Sequence, residues 1–293
     1  MKKNKVALQE KNIGNMQFQS KGRKVKKRRK LRKWVLVVIM IILISIIGFN
    51  LFILFEWNKD NKKTEKNIRE ITNVNIREIE DNNAENVNEP TDKNSDYWYY
   101  VNFPLINVDF NELIKKNPDT VAWINVNNTN INYPVVQTTD NDYYLNHSYD
   151  KSVNKAGWVF LDFRNESNLA NRNNIMYAHN RTDKTMFGSL KNTLKKSWYT
   201  DKSNHIIRIS TPKEDTLWQI FSVYVIKPET YYITTDFNND SEYETFLNTI
   251  KERSKYNFNT SVNASDCILT LSTCYYDTER TVVHAKLIKK SKK

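Results

Sequence analysis

Glycine and cysteine are both scarce in this chain. Five glycines in 293 residues leave no G-x-G-x-x-G and no G-x-x-x-x-G-K-[ST]. Dinucleotide and P-loop nucleotide binding therefore lack the turn that cradles phosphate. Two cysteines, with no C-x-x-C, argue against a structural zinc site or a disulfide framework. Acid is nearly missing from residues 1–33, which hold 14 Lys/Arg and only Glu10 on the other side. The formal charge of +12 thus resolves into a local +13 and a remainder of −1 over residues 34–293. A nucleic-acid-binding domain carries its basic residues on the folded surface that meets phosphate. The body here is neutral, so no nucleic-acid partner is expected.

What the sequence does have begins at Trp34. Residues 34–55 (WVLVVIMIILISIIGFNLFILF) carry no charge. At ~1.5 Å per residue they reach about 33 Å, enough to cross a hydrocarbon core of roughly 30 Å. A cleaved signal peptide would have a shorter apolar region and a small-x-small site; Glu56-Trp57-Asn58 follows instead, so an uncleaved anchor is expected. Residues 21–33 carry ten Lys/Arg, while residues 56–70 carry five mixed with four acids. By the positive-inside rule the N-terminus is cytoplasmic and everything after residue 55 lies outside a plasma membrane crossed once. Four segments follow: a basic cytoplasmic tail over 1–33, a transmembrane helix over 34–55, a polar stalk over 56–95 and an extracytoplasmic domain over 96–293. Within the stalk, Ile68 and Ile71 have the spacing of a short amphipathic helix.

From Asp96 onward, aromatic and β-branched runs bounded by Asn, Asp, Gly and Pro predict strands at 121–126, 131–137, 157–163, 173–180, 205–211, 216–226, 267–274 and 281–288. Helical spacing predicts short helices at 110–116 and 185–194. A longer one is expected at 241–256, with Tyr243, Phe246, Leu247 and Ile250 on one stripe. The class is mainly β with added helices (α+β), and a closed or nearly closed barrel is the natural way to bury so many strands.

Cys267 and Cys274 stand seven residues apart, about 23 Å at ~3.3 Å per strand residue, too far to bridge within one strand. Cys267 reads as a small buried hydrophobe. Cys274 ends its strand where the chain turns into a polar segment, a place where reactive side chains become accessible. A cysteine nucleophile needs a base or cation beside it. Of the four histidines, His284 sits inside an alternating strand and reads as structural, His205 as a surface residue, and His147 as a local hydrogen-bonder. His179 follows the apolar run IMYA and precedes the polar NRTDKT, mirroring Cys274, and leads among the four. A developing oxyanion needs a donor; Arg280, at the start of the next strand, is the one arginine after Cys274.

These residues match a family. Thr270-Leu271-Ser272-Thr273-Cys274 followed by Arg280-Thr-Val-Val-His-Ala-Lys resembles the sortase signature TLxTC with its arginine opening the next strand. Tyr177-Ala178-His179-Asn180 and Met186-Phe187-Gly188-Ser189-Leu190 resemble the histidine segment of class B sortases. Pro118–Ile124, Asn130–Gln137 and Asp142–His147 resemble their amino-terminal strands, and the helix at 241–256 resembles the one class B inserts before the cysteine strand. The likeness spans about residues 97–290. Two departures stand out: the Cys274–Arg280 loop is shorter than in class B members, and Ala178 replaces the usual glycine.

The resemblance implies a closed eight-stranded β-barrel and a cysteine transpeptidase that attaches secreted proteins to the cell wall of Gram-positive bacteria. Cys274 would attack the threonine carbonyl of a C-terminal sorting motif of the NPQTN or (S/N)PxTG kind. His179 would act as general acid/base and Arg280 would hold the oxyanion. Ser272, Thr273 and Tyr177 would line the site, with Asn132, Tyr232 and Ile233 as further substrate contacts. The implied partners are secreted proteins bearing the sorting signal, an amine of peptidoglycan or lipid II, and the cell membrane. Class A members bind calcium through acids near the cysteine strand; no matching cluster is seen, and no metal or cofactor is expected. Two other readings stay open: a hydrolytic cysteine protease with the same dyad, and a non-catalytic wall-binding module whose Cys274 is structural.

Overall fold

A computed structural model describes residues 32–72, 74, 76–81, 83–275 and 278–293, with the backbone alone for Thr72, Cys274 and Tyr275. Most of the basic tail lies outside the described residues. The chain divides into two compact units, residues 1–52 and 53–293. Helix α1 (Lys33–Thr72) opens the described chain, and it contains one span long and apolar enough to cross a membrane, with a mean hydropathy of 3.0. Then come β1 (Ile76–Ile79), β2 (Glu85–Asn86), α2 (Tyr97–Tyr100), β3 (Leu105–Val108), α3 (Asn111–Lys116), β4 (Thr120–Val126) and β5 (Asn132–Val136). They are followed by β6 (Phe160–Leu161), β7 (Asn173–Tyr177), α4 (Lys196–Tyr199), β8 (Ile206–Ser210), β9 (Glu214–Ile226), α5 (Asp240–Glu252), β10 (Ile268–Tyr275) and β11 (Glu279–Lys292).

Eight strands run in the order β10-β7-β6-β5-β4-β8-β9-β11, and pairing of β10 with β11 closes the ring. Closure leaves none of the eight with a free edge. The expected closed eight-stranded barrel is therefore found. Strand β2 adds at the far end of β11, and β1 pairs separately with β3. Most neighbours are antiparallel, but β7 runs parallel to β10, from Ile268 opposite Asn173 to Ser272 opposite Tyr177. A parallel pair needs a long crossover, here supplied by β8, β9 and α5. Its consequence is that β7 and β10 both end at the same rim of the barrel.

The main hydrophobic cluster gathers Trp123, Ile124, Met176, Ile220, Val223, Leu269, Leu271, Val283 and their neighbours from strands all round the barrel. A second cluster seals α5 onto the outside of β9–β11, and its helix contribution is the expected stripe of Tyr243, Phe246, Leu247 and Ile250. Asn239 caps α5 by accepting from the Glu242 amide at 2.9 Å. The helix stops at Glu252, short of the expected Tyr256, because the next groups turn back to the barrel. The Lys255 amide donates to Val223 O at 2.7 Å, and Ser254 Oγ accepts from the Val223 amide at 3.0 Å.

Other segments also differ from expectation. The helix predicted at 185–194 is a 3-10 turn over Leu190–Leu194 only, because Lys184 and Met186 sit at φ 65° and 53° and Met186 bridges back to Asn180. The strand predicted at 157–163 shrinks to Phe160–Leu161, after Gly157 at φ 62° turns the chain. The segment 56–95 is more structured than a solvated stalk. Helix α1 continues to Thr72, Thr64, Asn67 and Ile71 are buried, and β1 and β2 join other strands.

Candidate active site

Two registers meet at Cys274. Antiparallel pairing sets Cys274 opposite Arg280 across β10 and β11. Parallel pairing ends at Ser272 opposite Tyr177, and Thr273 Oγ1 then donates to Ala178 O at 2.7 Å, so the two chains stay together for one more step. Cys274 and His179 are the next residue in each. Adjacent strands lie about 4.8 Å apart. The backbone therefore puts Cys274 between His179 on one side and Arg280 on the other; the Cys274 side chain lies outside the described atoms.

His179 is seated from below. Its Nε2 lies 2.8 Å from Leu145 O. A carbonyl only accepts, so Nε2 carries the hydrogen and Nδ1 is the nitrogen left to exchange a proton. The imidazole rests on Gly157. A Cβ there would stand 2.9 Å from His179 Cδ2, 2.7 Å from Tyr144 O and 3.0 Å from Leu145 O, in addition to the left-handed φ. Any side chain at 157 would push the ring away.

An open cavity of about 460 Å³ adjoins this rim. Of the residues expected at the site, His179, Arg280, Ser272, Thr273, Tyr177, Tyr232 and Ile233 line it. Asn132 does not; its Oδ1 accepts from Trp123 Nε1 at 2.7 Å on β5. Asn141, Leu145, Phe160, Ala178, Pro228 and Glu229 complete the lining and were missed from sequence, although Leu145 and Ala178 fall inside the matching segments. Arg280 Nη1 donates to Glu279 O at 3.0 Å, and it has no ion pair among the described residues.

The wall formed by the 3-10 turn Tyr231–Ile233 is tied down at several points. Arg164 Nη2 donates to Ile233 O at 3.0 Å, Asn173 Nδ2 donates to Thr234 O at 2.9 Å, and Tyr232 Oη pairs with Ser272 Oγ at 3.1 Å. Glu229 pairs with Arg253. Arg164 in turn grips buried Asp162 through Nε at 2.8 Å and Nη2 at 2.6 Å, and Tyr177 Oη donates to the same carboxylate at 2.9 Å. Burial pushes the Asp162 carboxyl up, but these donors outweigh it and hold it below the ordinary range. Burial and the Asp162 charge both raise the Tyr177 phenol, which stays protonated as a donor.

The other histidines do structural work. His284 is fully buried; its Nε2 meets Tyr224 Oη at 2.8 Å and its Nδ1 meets Thr270 Oγ1 at 2.9 Å. Thr270 gives its single hydroxyl hydrogen to Asn173 Oδ1, so His284 Nδ1 must donate and Tyr224 must donate to Nε2. The neutral ring is satisfied, and a second proton would face the Tyr224 hydroxyl. Desolvation, helped by the Arg253 charge, takes its pKa from 6.5 to about 3. His205, expected at the surface, is buried instead. It bonds Tyr100 Oη and Tyr199 O at 2.8 Å each and packs against Phe258, and burial lowers its pKa as well. His147 stacks on Tyr143 and bonds its carbonyl at 2.7 Å, the local role expected.

A folded pKa below the unfolded one makes the unfolded state the better proton acceptor. The His284 and His205 contribution is therefore fully present above about pH 6.5 and is lost as pH falls below that, on down to the folded His284 value near 3. The urea midpoint of unfolding should fall clearly between pH 7.5 and pH 5; a flat profile over that window would contradict the assignment.

Cys267 precedes β10 at the other end of the barrel. It is partly buried beside a cavity of about 480 Å³, its Sγ donates to Asn171 O at 3.0 Å, and burial pushes its thiol up to about 12. It is an inert thiol at neutral pH. No group of three or more acidic, cysteine or histidine side chains able to hold a metal exists among the described residues.

Comparison with known proteins agrees with this architecture. The sortase domain family model matches residues 124–288. Sortase B of Staphylococcus aureus is 41% identical over 186 residues, covering 62% of this chain and 75% of that one. Sortase B of Listeria monocytogenes is 35% identical over the same length and coverage. Among solved structures, a Bacillus anthracis protein similar to sortase B is 36% identical, with a TM-score of 0.63 over 80% of this chain and 98% of that chain. A Staphylococcus aureus sortase B–substrate complex is 40% identical, with a TM-score of 0.58 over 61% and 84%. With the matched domain spanning more than half its length, the chain belongs to the sortase family, in class B, and is a cysteine transpeptidase.

Proposed function

We propose that the protein, anchored by the apolar part of α1 with its basic N-terminus in the cytoplasm, cleaves a C-terminal sorting motif after threonine and joins the protein to a cell-wall amine outside. The observation that supports the reading is a pair of strand registers, one setting Cys274 opposite Arg280 and the other running β7 beside β10 to Tyr177, two residues before His179. The anchor is supported by the apolar span and by the 14 basic residues before it.

The chemistry proceeds in two halves. Cys274 Sγ, as thiolate, attacks the threonine carbonyl, and the new oxyanion takes hydrogen bonds from Arg280. Collapse breaks the C–N bond, and His179 gives its proton to the departing amine. The threonine is now held as a thioester. An incoming peptidoglycan or lipid II amine loses its proton to His179, attacks the same carbonyl and expels the thiolate. A thioester stays reactive toward amines, which conserves the acyl group for transfer. The motif, of NPQTN or (S/N)PxTG type, would lie in the cavity against Tyr177, Ser272, Thr273, Tyr232 and Ile233. Asn132 has no place in this contact set.

The test is the partition of the thioester. With a sorting-motif peptide and an added primary amine such as hydroxylamine, the amide-type product should dominate over the hydrolysed acid. Equal hydrolysis with and without amine would favour a protease. No cleavage of any such peptide would favour a wall-binding module.

A further inference from the structure

The cytoplasm-distal end of α1 does more than continue a helix. Asp60, Thr64, Asn67 and Ile71 recur at the three- and four-residue spacing of one helical face, and Thr64, Asn67 and Ile71 are no more than 3% exposed. Their partners belong to the two segments that hold His179.

The first is the loop carrying Gly157. Asn154 is its hub: Asn154 O accepts from the Gly157 amide at 3.0 Å, and Asn154 Oδ1 accepts from the Ala156 amide at 2.9 Å. The Asn154 side-chain amide is turned to α1, donating to Thr64 Oγ1 at 2.9 Å and to Asp60 O at 3.3 Å. Asn67 Nδ2 donates to Ser148 Oγ at 2.8 Å at the other end of the same loop. The second segment is the chain just beyond His179. Arg181 donates to Asn61 on α1 while its Nε and Nη2 hold Thr185 at 2.9 Å and Asp183 at 2.8 Å. The Arg181 side chain is only 11% exposed, so this is a packed contact rather than a surface pair.

We propose that the juxtamembrane stretch of α1, through Asn61 and Thr64, is a positioning element of the active site, holding Arg181 and Asn154 so that the His179 ring keeps its seat on Gly157 and its bond to Leu145. Two independent contacts converge on one imidazole: Thr64–Asn154–Gly157 beneath the ring, and Asn61–Arg181 two residues along its backbone. Residues 60–71 of α1 and the proton carrier are thus joined by a short chain of side-chain hydrogen bonds. The inference rests on His179 being the acid/base of the proposed reaction. Misplacing a catalytic group by about 1 Å can cost up to about 100-fold in rate.

The experiment uses full-length protein in detergent micelles with a sorting-motif peptide and an amine acceptor. Asn61→Ala and Thr64→Val should each lower kcat about 10-fold with KM for the peptide unchanged, because the peptide wall lies on Tyr232 and Ile233. Asn61→Asp, which keeps an oxygen for Arg181, and Thr64→Ser, which keeps the hydroxyl, should restore kcat. Combining Asn61→Ala with Arg181→Ala should cost no more than Arg181→Ala alone. Lys66→Ala, on the exposed side of α1, should change nothing. The inference is overturned if the Ala and Val variants melt at lower temperature but keep the wild-type kcat, since α1 would then merely stabilise. It is also overturned if the Asn61→Ala and Arg181→Ala losses simply add. Failure of the underlying functional reading looks different: the wild-type protein itself would form no acyl adduct.

Discussion

Full-length protein carrying Cys274→Ala should form no covalent adduct with a sorting-motif peptide and should transfer none of it to an amine. The loss is complete because the bond broken in the peptide is replaced by a bond to Sγ, and no other group can take that place. Cys267 cannot substitute, as its thiol is held near 12 by burial and lies at the far end of β10. Ser272 lines the cavity but its hydroxyl is paired with Tyr232. The variant should fold normally, because Cys274 sits in β10 through backbone pairing with Arg280, which alanine keeps. Residual turnover in this variant would remove Cys274 from the mechanism; a lower yield of folded protein would not.

The second large effect concerns the two flanking groups. His179→Ala should lower kcat by about 10²–10⁴, the range for loss of general acid/base catalysis. The amine would then have to leave unprotonated and the thiol would lose its proton acceptor. Arg280→Ala should cost about 10²–10³, the range for removing one oxyanion donor. Both variants should remain folded. His179 gives up a single hydrogen bond to Leu145, worth about 1 kcal/mol, and Arg280 gives up one to the adjacent carbonyl of Glu279. Unfolding measured by urea, beside single-turnover acylation, separates the two kinds of loss. Full activity in Arg280→Ala would sink the role given to it.

The barrel and most of its strands were legible because β-branched and aromatic runs such as VAWINV and CILTLSTC write their period directly into the sequence. The end-of-strand likeness of His179 and Cys274 was visible as well. Its cause was not. The parallel register that joins β7 to β10 is non-local, and nothing in either strand names the other as partner. The same limit explains His205. Its polar neighbours Asn204 and Lys202 suggest a surface, while the groups that bury it, Tyr100 and Phe258, come from distant segments. Gly157 as the seat of His179 left no local mark, since a glycine before a strand-like run reads only as a turn. The length of α1 was hidden for another reason. Its polar second half lacks a continuous apolar stripe, and it is held instead by Thr64, Asn61 and Asn67 through side-chain hydrogen bonds. Asn132, expected as a substrate contact, does not line the cavity beside His179, and its Oδ1 accepts from Trp123.

The central claim is covalent, and intact-mass spectrometry tests it. Full-length protein mixed with a peptide bearing an NPQTN or (S/N)PxTG motif should gain the mass of the fragment ending at threonine, on the peptide that contains Cys274. That mass should disappear faster with added amine than with water alone. No adduct with any such peptide, or an adduct that persists in Cys274→Ala, would contradict the account.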